Sequence, residues 1–130
     1  MTIDDFAKEL RKDSEINKHK LDEECVKQTF LYSKWSIRLA KAQERLRKIE
    51  LMLTQFKATQ YIHGKKSKIT DKLSESKYRT NSRYTELSKR KYSAMRSVEL
   101  FQSAVYSMMN RRAMIESLVK LNSNDYYNET

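Results

Sequence analysis

Proline is absent from the 130 residues, and Gly64 is the one glycine. Tight β-hairpins need turn residues that accept positive φ, glycine and asparagine above all. A chain so poor in them turns seldom, which predicts few elements, each of them long. Cys25 is the lone cysteine, so an internal disulfide is excluded and a reducing compartment is expected. No stretch approaches the roughly 18 uncharged apolar residues that read as a membrane-spanning helix. The opening Met1-Thr2-Ile3-Asp4-Asp5 lacks the positive-then-apolar layout of a secretory signal. The expected setting is soluble and cytoplasmic, away from membranes.

Chemistry is scarce as well. His19 and His63 have no cysteine or second histidine at ligand spacing, so no zinc site can be written. Loops that cradle phosphates need several glycines, and one does not suffice. Cys25 falls on an apolar seam described below, where a buried, inert thiol is expected. Asp4-Asp5 and Asp22-Glu23-Glu24 read as favourable negative charge in the first turns of helices. The expectation is a protein without metal, cofactor or enzymatic activity.

What the sequence does have is helix formers: Lys, Arg, Glu, Gln, Leu, Ala and Met are common. Thr2 and Asp5 form a capping-box pattern ahead of a short helix with Ile3, Phe6 and Leu10 as its apolar stripe. Ser14 to Lys20 reads as a loop or hinge. Leu21, Cys25, Gln28, Tyr32, Trp35, Leu39, Ala42, Leu46, Ile49, Leu53 and Phe56 then follow at 4-3 spacing, which keeps one side of a helix on a partner. Trp35, on this stronger seam, is expected in the core. Residues 21–62 would span roughly 60 Å as a helix, and Gly64 stands where a helix stop belongs. A second 4-3 series runs through Tyr84, Leu87, Lys91, Ala94, Val98, Phe101, Val105, Met108, Arg112, Ile115 and Val119, thickened by Met95, Leu118 and Leu121. The predicted class is all-α: long heptad-patterned helices in a hairpin, with a short N-terminal helix. Its expected parts are a helical region 1–64, a basic loop or linker 65–82, a C-terminal oligomerisation helix 83–121 and a disordered tail 122–130. Two helices bury only a narrow seam. Off-seam residues such as Ile37, Leu51, Met52, Leu100, Met109 and Met114 therefore need a further cover, and a helical homo-oligomer would supply it.

The formal net charge is +10, and it is unevenly spread. Residues 1–56 hold 12 basic and 10 acidic side chains, and residues 97–130 hold 3 and 4. Residues 57–96 hold 12 basic side chains against 3 acidic ones, interleaved with Tyr61, Tyr78, Tyr84 and Tyr92. A run of charge can be no more than a solvated face, but here it has one sign, and serines and threonines stand where balancing glutamates would be. Cations release counterions from phosphates, and aromatic faces stack on unpaired bases, so the pattern points to single-stranded nucleic acid. Lipid headgroups and acidic proteins are the other polyanions to weigh. Lys57, Lys65, Lys66, Lys68, Lys72, Lys77, Arg79 and Arg83 are the candidate phosphate contacts, and Tyr61, Tyr78 or Tyr84 the candidate stacking rings, Tyr84 being equally a seam residue. Phe101, Val105, Met108, Ile115 and Val119 are expected to hold the oligomer, or else the hairpin alone. A basic-region zipper that reads duplex DNA is a further possibility, with Asn81 and Lys89 at suggestive spacing. Against it, Val98, Val105, Arg112 and Val119 occupy the places where leucines recur in a zipper. A coiled-coil adaptor that only joins proteins, or a basic duplex-binding regulator, would be the rival readings.

Leu31-Tyr32-Ser33-Lys34-Trp35, early in a long charged helix, resembles the UvsY family of phage recombination mediator proteins. Phe56-Lys57-Ala58-Thr59-Gln60 is similar to that family's basic motif Leu-Lys-Ala-Arg-Leu. Lys57 and Ala58 match, Thr59 and Gln60 depart from it, and Lys65-Lys66-Ser67-Lys68 stands nearby to restore charge. Phe101, Ser103 and Arg112 match the family's C-terminal helix more loosely. The resemblance implies a non-enzymatic protein of the infected bacterial host's cytoplasm. It would bind single-stranded DNA as a hexameric or heptameric ring built through its C-terminal part. Its role would be to help load a recombinase onto DNA covered by single-strand-binding protein.

Overall fold

The computed structural model describes residues 1–66, 72–73 and 81–128, with the backbone alone for Lys66 and for 125–128. Its order is α1 (Ile3–Ser14), α2 (Leu21–Lys66) and α3 (Ser82–Asn128). The all-α class and the long helices are as the scarcity of turn residues predicts.

Local chemistry explains each boundary. Thr2 Oγ1 accepts the Asp5 N–H at 3.1 Å, and Asp5 Oδ2 accepts the Thr2 N–H at 3.3 Å, closing the capping box that opens α1. These hydrogen bonds, side chain first, hold the Asp5 carboxyl below its ordinary range. Beyond α1, Asn17 Oδ1 accepts the His19 N–H at 3.0 Å and the Asn17 carbonyl accepts the Lys20 N–H at 3.1 Å, folding the expected hinge. Asp22, Glu23 and Glu24 then fill the first turn of α2, facing its positive dipole end. The helix runs through Gly64 to Lys66, slightly beyond the expected stop. Asn81 opens α3 as its Oδ1 accepts the Arg83 N–H at 2.8 Å. Helix α3 continues to Asn128, past the Leu121 at which its apolar series ends, because 122–128 holds neither glycine nor proline to stop it.

The chain divides into two compact units, residues 1–39 with 100–130 and residues 40–99. The first contains three helical segments: α1, the start of α2 and the second half of α3. Its core is Phe6, Leu31, Trp35, Ala104 and Met108, with Leu10, Leu100, Phe101 and Val105 packed around it. Three rings meet there: Phe6 stands edge-on to Trp35 with centroids 5.6 Å apart, and Phe101 lies 6.0 Å from Phe6 and 6.2 Å from Trp35. The Trp35 indole N–H donates to Asp13 Oδ2 at 3.0 Å. Lys34 pairs with Asp13 and with Glu9, the latter at 3.1 Å, and Arg38 reaches Glu9 at 2.8 Å. Both cations also lie over the indole, at 5.1 and 4.8 Å from its centroid. Of the Leu31–Trp35 segment that carried the resemblance, Leu31, Lys34 and Trp35 thus sit at the centre of this unit, while Tyr32 and Ser33 are exposed.

These ion pairs leave a pH signature. The Arg38 hydrogen bond above all, helped by Lys34 and opposed by desolvation, holds the Glu9 carboxyl below its ordinary 4.5. A carboxylate with a depressed folded-state pKa stabilises above its ordinary pKa and loses that contribution as the pH falls through the lower value. Glu9→Gln is therefore expected to be less stable than the parent at pH 7, with the gap closing below about pH 4.5. Urea midpoints from pH 7 to 3 would test this, and a gap that stays constant on acidification would contradict it.

A second polar group ties the same unit together. Arg111 is 1% exposed in its side chain, donating to Gln28 Oε1 at 2.7 Å and to the Glu15 carbonyl at 3.1 Å while pairing with Glu24. Gln28 Nε2 in turn donates to the Met108 carbonyl at 2.7 Å. The α2 and α3 segments run antiparallel here.

In the second unit, Ile49 and Leu53 of α2 pack on Leu87 and Ala94 of α3, with Leu46, Phe56 and Tyr84 alongside. The Phe56 and Tyr84 rings are 6.3 Å apart. This too is an antiparallel pair, so the expected hairpin pattern is present in each unit.

Two seam expectations need correction. Cys25 is exposed and not buried, and Tyr32 is 43% exposed. The neighbours Glu24 and Leu31 take the buried places, because α1 packs on the side of α2 to which they point.

Candidate nucleic-acid interface

The division into units sorts the charge more sharply than the sequence segments do. Residues 1–39 with 100–130 carry 11 basic and 11 acidic side chains, a balance of zero. Residues 40–99 carry 16 basic and 6 acidic ones, so the whole +10 belongs to the second unit.

Within that unit the helices display the cations outward. Lys57 and Lys65 on α2 are exposed, as is Lys72. Arg83 on α3 is half exposed and lies 3.5 Å from Glu86, which also pairs with Arg90 at 3.1 Å. One carboxylate is thereby shared between two guanidiniums and neutralises neither fully. Lys89 and Arg96 are exposed and unpaired among the described residues. Of the other candidates, Lys68, Lys77, Tyr78 and Arg79 lie outside the described residues, as does the Lys66 side chain.

The aromatic candidates separate. Tyr61 is half-buried and engaged in a contact of its own. Tyr84 is half-buried against Phe56 and serves the seam. Among the described residues of this unit the tyrosine left open is Tyr92, 76% exposed on α3, which was not among the expected stacking residues. The signal was present, since Tyr92 lies off the 4-3 series, between Lys91 and Ala94.

The oligomerisation candidates lie in the first unit. Met108 and Ile115 are buried at 0% and 3%, and Phe101 and Val105 pack against the core. Val119 is 41% exposed. Asn81, the base-reading candidate of a zipper, spends its side-chain oxygen on the α3 cap. Among the described residues no group of three or more His, Cys, Asp or Glu could hold a metal, and no helix is long and apolar enough to cross a membrane.

The crystal structure of the bacteriophage T4 recombination mediator protein UvsY matches this chain with a TM-score of 0.79, over 96% of this chain and 99% of that one. The two share a fold. Their sequences are 16% identical over the match, so the likeness to UvsY lives in architecture. No protein-family model matches the sequence, and neither does any curated protein. A UvsY-like fold is what the Leu31–Trp35 segment implied, and in this chain that segment supplies Leu31 and Trp35, 2% and 0% exposed, to the core.

Proposed function

We propose that this chain is a non-enzymatic recombination mediator that binds single-stranded DNA through the unit formed by residues 40–99. In this reading it helps load a phage recombinase onto DNA covered by single-strand-binding protein, in the cytoplasm of the infected host. The observation that carries the reading is the confinement of the entire +10 to that unit while the rest of the chain is neutral. A field of one sign concentrated on one unit attracts phosphate chains and raises their local concentration. The shared fold with UvsY, a recombination mediator by name, supports the biological setting.

Lys57, Lys65, Lys72 and Arg83 contact phosphates in this proposal, joined by Lys66, Lys68, Lys77 and Arg79. Copies of the chain associate, because Val26, Phe30, Ile37, Met109 and Met114 leave more than two fifths of their surface open on the neutral unit. Association multiplies a modest patch into a tight one by presenting it repeatedly to one strand.

Fluorescence anisotropy with labelled single- and double-stranded oligonucleotides across a salt series tests the reading. Single strands are expected to bind more tightly than duplex, with log affinity falling about 0.7 per phosphate contacted for each tenfold rise in salt. Lys57→Ala and Lys65→Ala should each shrink that slope by about one contact and lower affinity several-fold at moderate salt. Equal affinity for duplex, or no binding at physiological salt, would leave a duplex-binding regulator or a protein-joining adaptor in its place.

A further inference from the structure

Among the described residues of the basic unit, Tyr92 is the large aromatic that no packing explains. Its ring is 76% exposed in the middle of a helix whose other aromatic in that unit, Tyr84, is drawn into the core. Lys89 precedes it by three residues and Arg96 follows by four, which places all three on one helical face. The two cations stand roughly 10 Å apart along the axis, with the ring between them. Both are exposed, and neither is ion-paired among the described residues. Of the adjoining positions, Ser88 and Ser93 are small, Met95 is apolar and 39% exposed, and Lys91 is a half-buried third cation. Ser88, Ser93 and Met95 leave the ring unshielded and extend it as a ledge.

We propose that Tyr92 is a base-stacking subsite for an unpaired nucleobase, with the flanking phosphates of the strand held by Lys89 and Arg96. This deepens the single-strand reading and rests on it. An aromatic face between two cations presents what a nucleotide has to offer on both counts, a π-face and charge at either side. Selection for single strands follows, since base faces in duplex DNA are already stacked on their neighbours. The strand's course follows as well. Glu99, one heptad beyond Tyr92, closes the ledge with negative charge, so the strand runs from Arg96 past Tyr92 and Lys89 toward the start of α3. Tyr106 provides an internal control: it is 58% exposed on the same helix but lies in the neutral unit.

The test compares two strands of equal length, an oligothymidylate and an abasic deoxyribose-phosphate chain, with the full-length protein. Tyr92→Ala is expected to bind oligothymidylate about tenfold more weakly, to bind the abasic strand as the parent does, and to keep the parent's salt slope. Tyr92→Phe retains the ring and should bind like the parent, and Tyr106→Ala should change nothing. Equal losses on both strands, or no loss on either, would overturn the stacking subsite while leaving single-strand binding in place. A parent protein that binds neither strand would overturn the functional reading and the subsite together. An unchanged urea midpoint for Tyr92→Ala, as its exposure predicts, ties any loss to the ledge and not to folding.

Discussion

Trp35→Ala is expected to lower the free energy of unfolding by about 3–5 kcal/mol, a large share of the roughly 5–15 kcal/mol that holds a typical domain together. Trp35 is fully buried and is the largest side chain of the first unit's core. Removing the indole leaves a cavity bounded by Phe6, Phe101 and Met108, residues from two separate helices that cannot all collapse inward. It also removes the surface on which Lys34 and Arg38 lie, and the N–H that Asp13 accepts at 3.0 Å. Trp35→Phe separates the contributions. It keeps an aromatic ring, and Asp13 keeps Lys34, so the expected loss is about 1–2 kcal/mol. Urea denaturation followed by far-ultraviolet circular dichroism measures both, fluorescence being unsuitable once the one tryptophan is gone. A loss below about 1 kcal/mol for Trp35→Ala would mean that the site repacks freely, against the dense interior expected of such a core.

Trp35 was legible in the sequence, and the reason it was shows where such reading stops. In the second unit, where two helices pack alone, the 4-3 series holds: Ala42, Ile49 and Leu53 are buried from α2, and Leu87 and Ala94 from α3, all at the expected positions. In the first unit every other seam place is taken by the residue before the expected one. Glu24 is buried in place of Cys25, Leu31 in place of Tyr32, Ala104 ahead of Val105, and Arg111 in place of Arg112. The positions common to both patterns, Gln28, Trp35, Met108 and Ile115, stay buried. A heptad describes a two-helix seam. Helix α1 adds a third surface, through Phe6 against both Trp35 and Phe101 and through the Glu15 carbonyl against Arg111, and the buried face of each long helix turns toward it. Where a short helix docks is a tertiary fact, and no period within α2 or α3 encodes it.

The charge was legible in the same partial way. One-signed charge between residues 57 and 96 could be counted, but the boundaries at 39/40 and 99/100, which leave 1–39 and 100–130 each neutral, are those of the folded units and no feature of the sequence marks them. Tyr92 differs from Tyr84 in the sequence by lying off the 4-3 series, and the antiparallel pairing gives that difference its effect: it draws Tyr84 onto Phe56 and leaves Tyr92 open.

Arg111→Met is expected to cost about 3–5 kcal/mol, because it leaves a buried partner without its counter-charge. Glu24 is 8% exposed and would keep a carboxylate with no cation to answer it, while Gln28 Oε1 would lose its donor and the Glu15 carbonyl its cross-helix partner. Arg111→Lys should rescue little. An ammonium is a point donor, whereas the guanidinium fork here reaches two side chains and a backbone carbonyl at once. The informative variant is Arg111→Met combined with Glu24→Leu. It removes both charges, and well-packed apolar pairs commonly match or exceed the buried ion pairs they replace. If the single variant suffers from an orphaned charge, the double variant regains at least about half of the loss. Urea midpoints of the parent, the two single variants and the double variant supply the cycle. Additive losses would instead mean that Arg111 contributes through its packed aliphatic stem, and that the ion pair is incidental to how α3 is held against the start of α2.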